Sequence, residues 1–422
     1  MFCKGGFLSG KLPVGWKKAL KSAVFLVGLL AVVLTLSALF GANVAQADDG
    51  ATAEEIEKEL ADGVDSTIDR LELDLFRNFI ASLGDTRKEA IGSESLDAIL
   101  KAFTEGSAGD FFGRFMSAAG NLLADSLLGF LPGFVTVIVV CLLKSILTGL
   151  TSGFPNRSTD NVVHIVCYSV VIVVLLTGAV KVVGTVTETV EAMSAFSEAV
   201  FPVLLTLLAA VGGVSGAAVY QPFMGVLSGA VIGLIGTVIV PAFIATIVFA
   251  VVGNISENVR LNKLSKLFKS GAGWLIGIVF GLFGAFLTAQ GITGGVIDRL
   301  SFNAAKFAVS SYVPILGGYL SDGFDLLTAS LVLVKNAVGA TGVIVLLAVV
   351  LYPLLQIAVF TLGLRLTAAV TEPIGDKRVS GVTASLADGM SLLVTALAGT
   401  GFMVFVLLML IMGSCNPGVW FG

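Results

Sequence analysis

The sequence predicts an all-α, polytopic membrane protein. Of its 422 residues, 56% are apolar and only 13% are charged, and the mean hydropathy is +0.98. Soluble domains are nearer to about 45–50% apolar and about 25% charged. The apolar residues form long continuous runs, as membrane-spanning helices of roughly 20 residues require, and not the short alternating segments of a membrane β-barrel. The 50 glycines are typical of helices that pack closely in lipid.

The first element is a secretory signal peptide, predicted over residues 1–47. This segment carries five lysines and no acidic residue, and its apolar run extends from Ala23 to Phe40. The run is followed by Ala45-Gln46-Ala47, a small-residue cleavage pattern that places the cut after Ala47. The alternative is an uncleaved anchor helix, because the run is slightly long for a signal peptide.

The second element is an acidic helical segment, predicted over residues 48–120. Residues 48–110 hold 17 acidic residues against six basic ones, a net charge of −11. Apolar residues recur every three or four positions, which predicts one face of an amphipathic helix: Ile56, Leu60, Val64, Ile68, Leu71, Leu75, Phe79 and Leu83. If the leader is exported, this segment lies outside the cytoplasm. Its acidic face is either a solvated surface or a docking surface for another extracytoplasmic protein.

The third element is a polytopic helical membrane domain, predicted over residues 121–422. Its apolar runs are 127–147, 162–183, 200–219, 223–253, 271–291, 312–334 (interrupted), 340–363 and 389–413. They predict about seven to nine transmembrane or re-entrant helices. Two arrangements remain open around the long 223–253 run. Either it breaks at Pro241, or residues 200–219 form a re-entrant hairpin.

The charges predict the orientation of this domain, because short cytoplasmic loops are enriched in lysine and arginine. Residues 254–270 hold four basic residues and one acidic residue, and 364–389 hold three basic residues with three acidic ones. Both are predicted to be cytoplasmic. Residues 186–198, which carry three glutamates, are predicted to lie on the opposite side.

Proline spacing indicates an internal repeat. Pro202 and Pro241 are 39 residues apart, as are Pro314 and Pro353, with an offset of 112 between the pairs. The copies would be residues 162–270 and 271–388, in parallel orientation, although ten prolines could produce such a match by chance. Repeats with interrupted helices are common in transporters, where the substrate site lies between the copies.

Two glycine motifs predict close helix packing. Gly225, Gly229 and Gly233 form one GxxxGxxxG stripe, and Gly273, Gly277 and Gly281 form another. Packing within the chain is the simpler interpretation, and subunit contact is the alternative.

Nothing in the sequence predicts an enzyme, a metal site or a cofactor. His164 is the single histidine, and no His, Cys, Asp or Glu cluster has ligand spacing. No long basic block with interleaved aromatic residues exists, so nucleic-acid binding is not expected.

Polar residues in apolar surroundings are the candidates for function, because ionisable groups at membrane depth are costly and usually face a cavity or each other. A polar path or gate is predicted from Gln290, Lys306, Asp322, Asp325, Lys335 and Gln356. The alternative is that the glycines near 317–323 place this stretch, with its charges, at the membrane surface. A basic amphipathic segment at 255–269 predicts lipid contact, or docking of a cytoplasmic partner, through Arg260, Lys263, Lys266 and Lys269.

Three stretches resemble the stage III sporulation protein AE family of endospore-forming bacteria. They are NISENVRLNKLSKLFKSGAGWLIGIVF (254–280), NAAKFAVSSYVPILGGYLSDGFDLL (303–327) and LVKNAVGATG (333–342). The resemblance extends over roughly residues 50–415. It provides no catalytic motif, so no residue role is transferred.

The resemblance implies a multi-pass protein of the mother-cell membrane that surrounds the forespore. It would be the permease-like part of a multi-protein channel, or feeding tube, that is similar to specialised secretion systems. The implied partners are other stage III A proteins, including a secretion-type ATPase, and the forespore stage II Q protein. The alternatives are a free-standing secondary transporter and a non-conducting structural anchor of the complex.

Overall fold

The computed structural model describes residues 73–84, 109–151, 157–255, 261–312, 317–374 and 377–415, and a few single positions between 64 and 100. Side chains are described within 73–84, 117–150, 162–253, 263–288, 327–374 and 378–415, and at those single positions and Leu261. The predicted signal peptide, with Ala45 and Ala47, lies outside the described residues.

The described chain is helical and contains no strand within these ranges, so the predicted fold class is confirmed. Its α-helices are α1 (Asp74–Ser82), α2 (Gly109–Thr151), α3 (Arg157–Ala210), α4 (Val214–Gly225), α5 (Val240–Ile255), α6 (Asn262–Tyr312), α7 (Gly317–Thr371) and α8 (Lys377–Gly413). Two π-helical segments, Val226–Ile232 and Ile235–Ile239, join α4 to α5.

Six helical stretches of the described chain are long and apolar enough to cross a membrane: Ser117–Leu150, Val162–Ala210, Val214–Gly253, Lys263–Thr288, Leu327–Thr371 and Arg378–Gly413. Several are much longer than the roughly 20 residues that one crossing requires. The eight predicted apolar runs merge into fewer helices because polar residues between two runs do not interrupt an α-helix.

The region around Pro241 is continuous helix. The chain turns instead at Val211–Gly213, inside the predicted 200–219 run, where Gly212 has a φ of 94°. Glycine tolerates this left-handed conformation because it has no Cβ. Pro241 lies at the start of α5, directly after the π-helical segments. A proline clashes with the preceding turn of an α-helix, and the wider π-helical spacing relieves such a clash.

The predicted cytoplasmic loop 364–389 is mostly helix. Residues 364–371 end α7 and 377–389 begin α8, so the connection is reduced to a short turn after Thr371. The predicted loop was too long because charged residues lower the hydropathy of a helix end without ending the helix.

The core of the bundle is the antiparallel hairpin of α7 and α8. Contacts along its length keep one register: a Cβ at Gly339 would lie 2.3 Å from Met412, and one at Gly401 would lie 3.0 Å from Val350. For both helices, 72% of the most apolar window is buried, against 17% for the span in α2 and for that in α6. The other helices therefore surround this hairpin.

Three helices pack on α7 and α8 in alternating directions. Gly178 of α3 meets Phe360 of α7, and Gly363 of α7 meets Phe134 of α2. On the other side, Gly399 of α8 meets Phe280 of α6. In each case the missing side chain of a glycine accommodates an aromatic ring from the neighbouring helix.

This up-and-down arrangement gives the bundle two ends. The basic end contains the ends of α2, α5 and α7 and the starts of α3, α6 and α8, with Lys269, Arg365 and Arg378 nearby. The acidic end contains the turn at 211–213, the end of α8 and α1, whose Phe76 and Phe79 pack edge-on against Phe196 of α3. The two segments predicted to share the cytoplasmic side thus lie at one end of the bundle.

The α1 helix buries a face that differs slightly from the predicted one. Phe76, Phe79 and Ile80 are buried, whereas Leu75 is 64% exposed. The helix begins at Asp74, and the chain bends at Leu71, so the long predicted stripe is interrupted between these residues.

The two predicted repeats each contain a helical hairpin, formed by α3 with α4–α5 and by α6 with α7. Pro202 lies inside α3 and Pro353 inside α7, while Pro314 falls outside the described residues. The internal repeat stays a prediction.

Candidate functional site

Four of the six residues predicted to form a polar path have undescribed side chains. Gln290 and Lys306 fall on the helical backbone of α6, and Asp322 and Asp325 fall on the first turns of α7. Their side chains lie outside the described part of the structure. Lys335 and Gln356, both on α7, are described and are buried.

Lys335 is fully buried and links α7 to the end of α8. Its Nζ donates a hydrogen bond to the backbone carbonyl of Ser414, directly after the last residue of α8. The Ser414 hydroxyl lies 3.4 Å from the hydroxyl of Tyr220 on α4, which is also buried. The next residue, Cys415, has a left-handed φ of 58°. Three helices therefore meet around the end of α8.

The chemistry of this junction is that of a helix cap. The last carbonyls of an α-helix have no partner within the helix, and they form the negative end of its dipole. A lysine ammonium supplies both a donor and a positive charge to them. The Lys335 side chain thus has a structural role, and the carbonyl of Ser414 gives its charge a partner inside the bundle.

Gln356 is 2% exposed, and its Oε1 accepts no hydrogen bond within the described part of the chain. It is 21 residues from Lys335 on the same helix, which corresponds to about 31 Å along α7 at 1.5 Å per residue. The two buried polar residues therefore do not form one site. Leaving a buried acceptor unpaired costs about 1–3 kcal/mol, so Gln356 is a candidate for contact with water or a solute.

The basic amphipathic segment is part of α6 and not a separate helix on the membrane surface. Lys263 and Lys266 are exposed on its first turns. Lys269 instead donates to the backbone carbonyl of Asp388 on α8, and the Asp388 carboxylate lies 3.5 Å from Arg365. Arg260 lies outside the described residues. The structure thus divides the predicted set into two exposed lysines and one that joins helices.

The basic end also contains a contact that the sequence did not predict. Nη1 of Arg378, at the start of α8, lies 2.9 Å from Nε2 of His164 near the start of α3. Because a guanidinium only donates, Nε2 is the acceptor and the imidazole proton is on Nδ1. One turn later, Tyr168 donates to the carbonyl of Val251 on α5 at 3.0 Å. The sequence singled out His164 only as the single histidine, and its partner 214 residues away is not a local property.

Within the described part of the chain, the two glycine stripes do not pack against a neighbouring helix. A Cβ added at any of their six glycines would meet no described atom within 4 Å: Gly225, Gly229, Gly233, Gly273, Gly277 and Gly281. The interpretation as within-chain packing has no support among the described residues. The glycines that do accommodate neighbouring rings, such as Gly178, Gly363 and Gly399, have no GxxxGxxxG spacing.

The described residues contain no group of three or more His, Cys, Asp or Glu side chains that could hold a metal ion. Among the described buried polar groups, Lys335 links two helices, whereas hydroxyls such as those of Ser197 and Thr383 donate to carbonyls of their own helix.

Comparison with known proteins identifies the family. The family model described as stage III sporulation protein AE matches residues 95–415, from before α2 to the end of α8. The chain belongs to the stage III sporulation protein AE family. It is 25% identical over 281 residues to stage III sporulation protein AE of Bacillus subtilis (strain 168), covering 67% of this chain and 70% of that relative. No solved structure matches.

As a member of the stage III sporulation protein AE family, the chain is a sporulation protein, and its six apolar helices make it a multi-pass membrane protein. The three stretches that carried the resemblance fall on structural junctions. Residues 254–280 connect α5 to α6, 303–327 connect α6 to α7, and 333–342 include Lys335. The matched region thus includes the buried lysine and the exposed lysines of α6.

Proposed function

We propose that this protein is the membrane-embedded, permease-like component of a multi-protein channel between mother cell and forespore. It would lie in the mother-cell membrane around the forespore, with its basic end in the cytoplasm. A secretion-type ATPase would bind on that side. The other stage III A proteins and the forespore stage II Q protein would complete the channel.

The observation that carries this proposal is the position of α1. Its aromatic residues pack on α3 near the acidic end, where Glu188, Glu191 and Glu198 are exposed. Asp74, with a side chain 86% exposed, and Leu75 remain on the surface. A simple carrier does not need such a helix, whereas a channel component needs a surface for partners outside its membrane.

A free-standing secondary transporter has less support. Transporters of this kind hold their substrate near the middle of the membrane, between repeats. Here the two described polar candidates, Lys335 and Gln356, are about 31 Å apart along one helix, and Lys335 is used as a helix cap. They provide no shared site for a solute.

A non-conducting structural anchor is the second candidate. The dense packing of the α7–α8 hairpin, where 72% of each apolar window is buried, favours it. The two candidates share their partners and differ in whether solute passes through this chain. Partner binding is therefore the first property to test.

The test is affinity purification of the tagged full-length chain from sporulating cells in mild detergent, followed by mass spectrometry. We expect the other stage III A proteins to co-purify. Leu75→Asn should reduce their recovery, because it makes the exposed apolar position of α1 polar. Leu75→Ile, which keeps an apolar side chain there, is the matched control. Recovery without partners, while the complex is intact in the same detergent, would favour the free-standing transporter.

A further inference from the structure

The first turns of α6 present an exposed face that combines charge with a groove. At about 100° per residue, Lys263, Lys266, Ser270, Gly273, Trp274, Gly277 and Ile278 lie on one side of the helix. All seven are exposed, and Trp274 reaches 75% exposure and Ile278 52%. The span in α6 is also among the least buried, with 17% of its window inside the bundle. This face therefore points away from the protein.

The groove on this face has a volume of about 550 Å³ and is lined by Ser270, Gly273, Trp274, Gly277 and Ile278. Gly273 and Gly277 form its floor, since a Cβ at either would meet no described atom within 4 Å. Trp274 and Ile278 form one wall. The result is a shallow, mostly apolar groove along the surface of the helix, open on its outer side.

Lys263 and Lys266 lie on the same face of α6 as the groove, at its N-terminal end. Lys263 and Lys266 are about two turns and one turn, respectively, before Ser270 on the same side of α6. Within the described part of the chain neither lysine forms an ion pair or a hydrogen bond with an acidic side chain, and residues 261–287 contain no Asp or Glu. The next lysine, Lys269, points elsewhere and binds the carbonyl of Asp388. The top of the groove is thus a positively charged surface.

We propose that this face, which we call the α6 lipid site, binds one anionic phospholipid of the surrounding membrane. Lys263, Lys266 and the Ser270 hydroxyl would bind the phosphate headgroup, and an acyl chain would occupy the groove beside Trp274. The charge favours a lipid over a second transmembrane helix. An apolar helix would fill the groove but leave both lysines without a negatively charged partner.

The orientation of the site agrees with the physics of a bilayer. Lysines near helix ends extend toward the headgroups, and tryptophans favour the membrane–water interface. Lys263 and Lys266 lie at the start of the candidate span, and Trp274 lies about two turns deeper. The proposal requires only that the helix is in a membrane, and it is independent of the channel role.

The experiment uses quenching of Trp274 fluorescence by brominated lipids. The full-length protein, with Trp16→Phe and Trp420→Phe to isolate Trp274, is placed in vesicles of phosphatidylcholine and phosphatidylglycerol. Either the anionic or the neutral lipid is brominated, at the same mole fraction. We expect the brominated anionic lipid to quench Trp274 more strongly, and this preference should fall as salt is added.

Two sets of variants test the headgroup contact and the acyl-chain groove independently. Each lysine near an anionic surface contributes about 1 kcal/mol, or about a fivefold change in binding. Lys263→Gln with Lys266→Gln should therefore weaken the preference about 25-fold. Lys144→Gln, the same change on α2 near the same end of the bundle, is the matched control. Gly277→Leu should fill the groove and lower quenching by the anionic lipid, without a clash in the fold.

Three outcomes would overturn the proposal. Equal quenching by the two brominated lipids in the otherwise unaltered protein would mean ordinary lipid contact without selection. Quenching by neither would mean that protein, such as a second copy or a partner helix, covers the face. An unchanged preference in the double lysine variant would mean that another surface selects the lipid.

Discussion

Lys335 on α7 donates a hydrogen bond to the backbone carbonyl of Ser414, one residue after α8 ends. This contact closes the acidic end of the α7–α8 hairpin, while Arg365 and Asp388 face each other at 3.5 Å toward the basic end. The central hairpin is thus joined by polar contacts near both ends and by apolar packing between them. The predictions below test these contacts and the glycines that allow the helices to approach.

Substitutions at Lys335 should distinguish between two roles: capping the end of α8 and lining the predicted polar path. Lys335→Ala leaves a cavity and removes the donor from the Ser414 carbonyl, so we expect the free energy of unfolding to fall by about 2–4 kcal/mol. Lys335→Met keeps the volume and removes the buried charge, so we expect a value within about 1 kcal/mol of wild type. Unfolding in mixed detergent micelles measures both.

The functional measurement is the number of heat-resistant spores formed by cells that carry each variant. If Lys335 is a cap, the methionine variant should sporulate nearly normally. A methionine variant that is as stable as wild type but fails to sporulate would instead support the prediction that Lys335 lines a polar path.

Gln356→Met should stabilise the fold and impair function. The substitution removes a buried acceptor that has no described donor, so the free energy of unfolding should rise by about 1 kcal/mol. We expect sporulation to fall, because a buried amide oxygen without a described donor at membrane depth indicates contact with water or solute. The measurement compares spore counts at equal membrane levels of the protein. Normal sporulation would show that the amide is not needed.

Gly363→Ala should destabilise the packing of α2 on α7. A Cβ at this position would lie 1.9 Å from the ring of Phe134, so the ring must move, and we expect a loss of about 1–3 kcal/mol. Gly277→Ala is the matched control, because it meets no described atom and should change stability little. Adding Phe134→Leu should recover part of the loss. If Gly363→Ala and Gly277→Ala lowered stability equally in a thermal unfolding assay, the result would contradict the observed packing.

His164 should be replaceable only by a residue that accepts a hydrogen bond from Arg378. His164→Gln retains an acceptor, whereas His164→Leu removes it and should lower stability by about 1 kcal/mol. The measurement is the difference in unfolding free energy between the two variants. In an Arg378→Gln background this difference should shrink, and an unchanged difference would show that the contact contributes nothing.

Much of the fold was predictable because membrane insertion acts on local composition. Any helix in hydrocarbon must be long and apolar, so runs such as 340–363 and 389–413 identify α7 and α8 from the sequence alone. Charges also separated the two ends correctly in space, since Lys269 and Arg378 lie at one end and the three glutamates of α3 lie toward the other. The helix ends were less predictable, because a charged turn such as 364–371 remains helical when it packs on a neighbour.

The candidate site was only partly predictable. The sequence identified Lys335 and Gln356 as unusual because a polar group in an apolar run is visible locally. It did not indicate that one binds the end of α8 while the other has an unpaired acceptor, because a partner 79 residues away is not a local property.

By itself, the sequence determined that the protein is helical, that it crosses a membrane several times and that basic and acidic segments alternate along it. Only the tertiary structure decided which glycines accommodate a ring, which lysines are exposed and where the chain turns. The physical reason is that hydropathy and charge belong to a residue and its near neighbours. Packing depends on the surface that another helix brings to the same place. Gly363 and Gly277 are the same residue in similar apolar runs, yet one lies against Phe134 and the other lines an open groove.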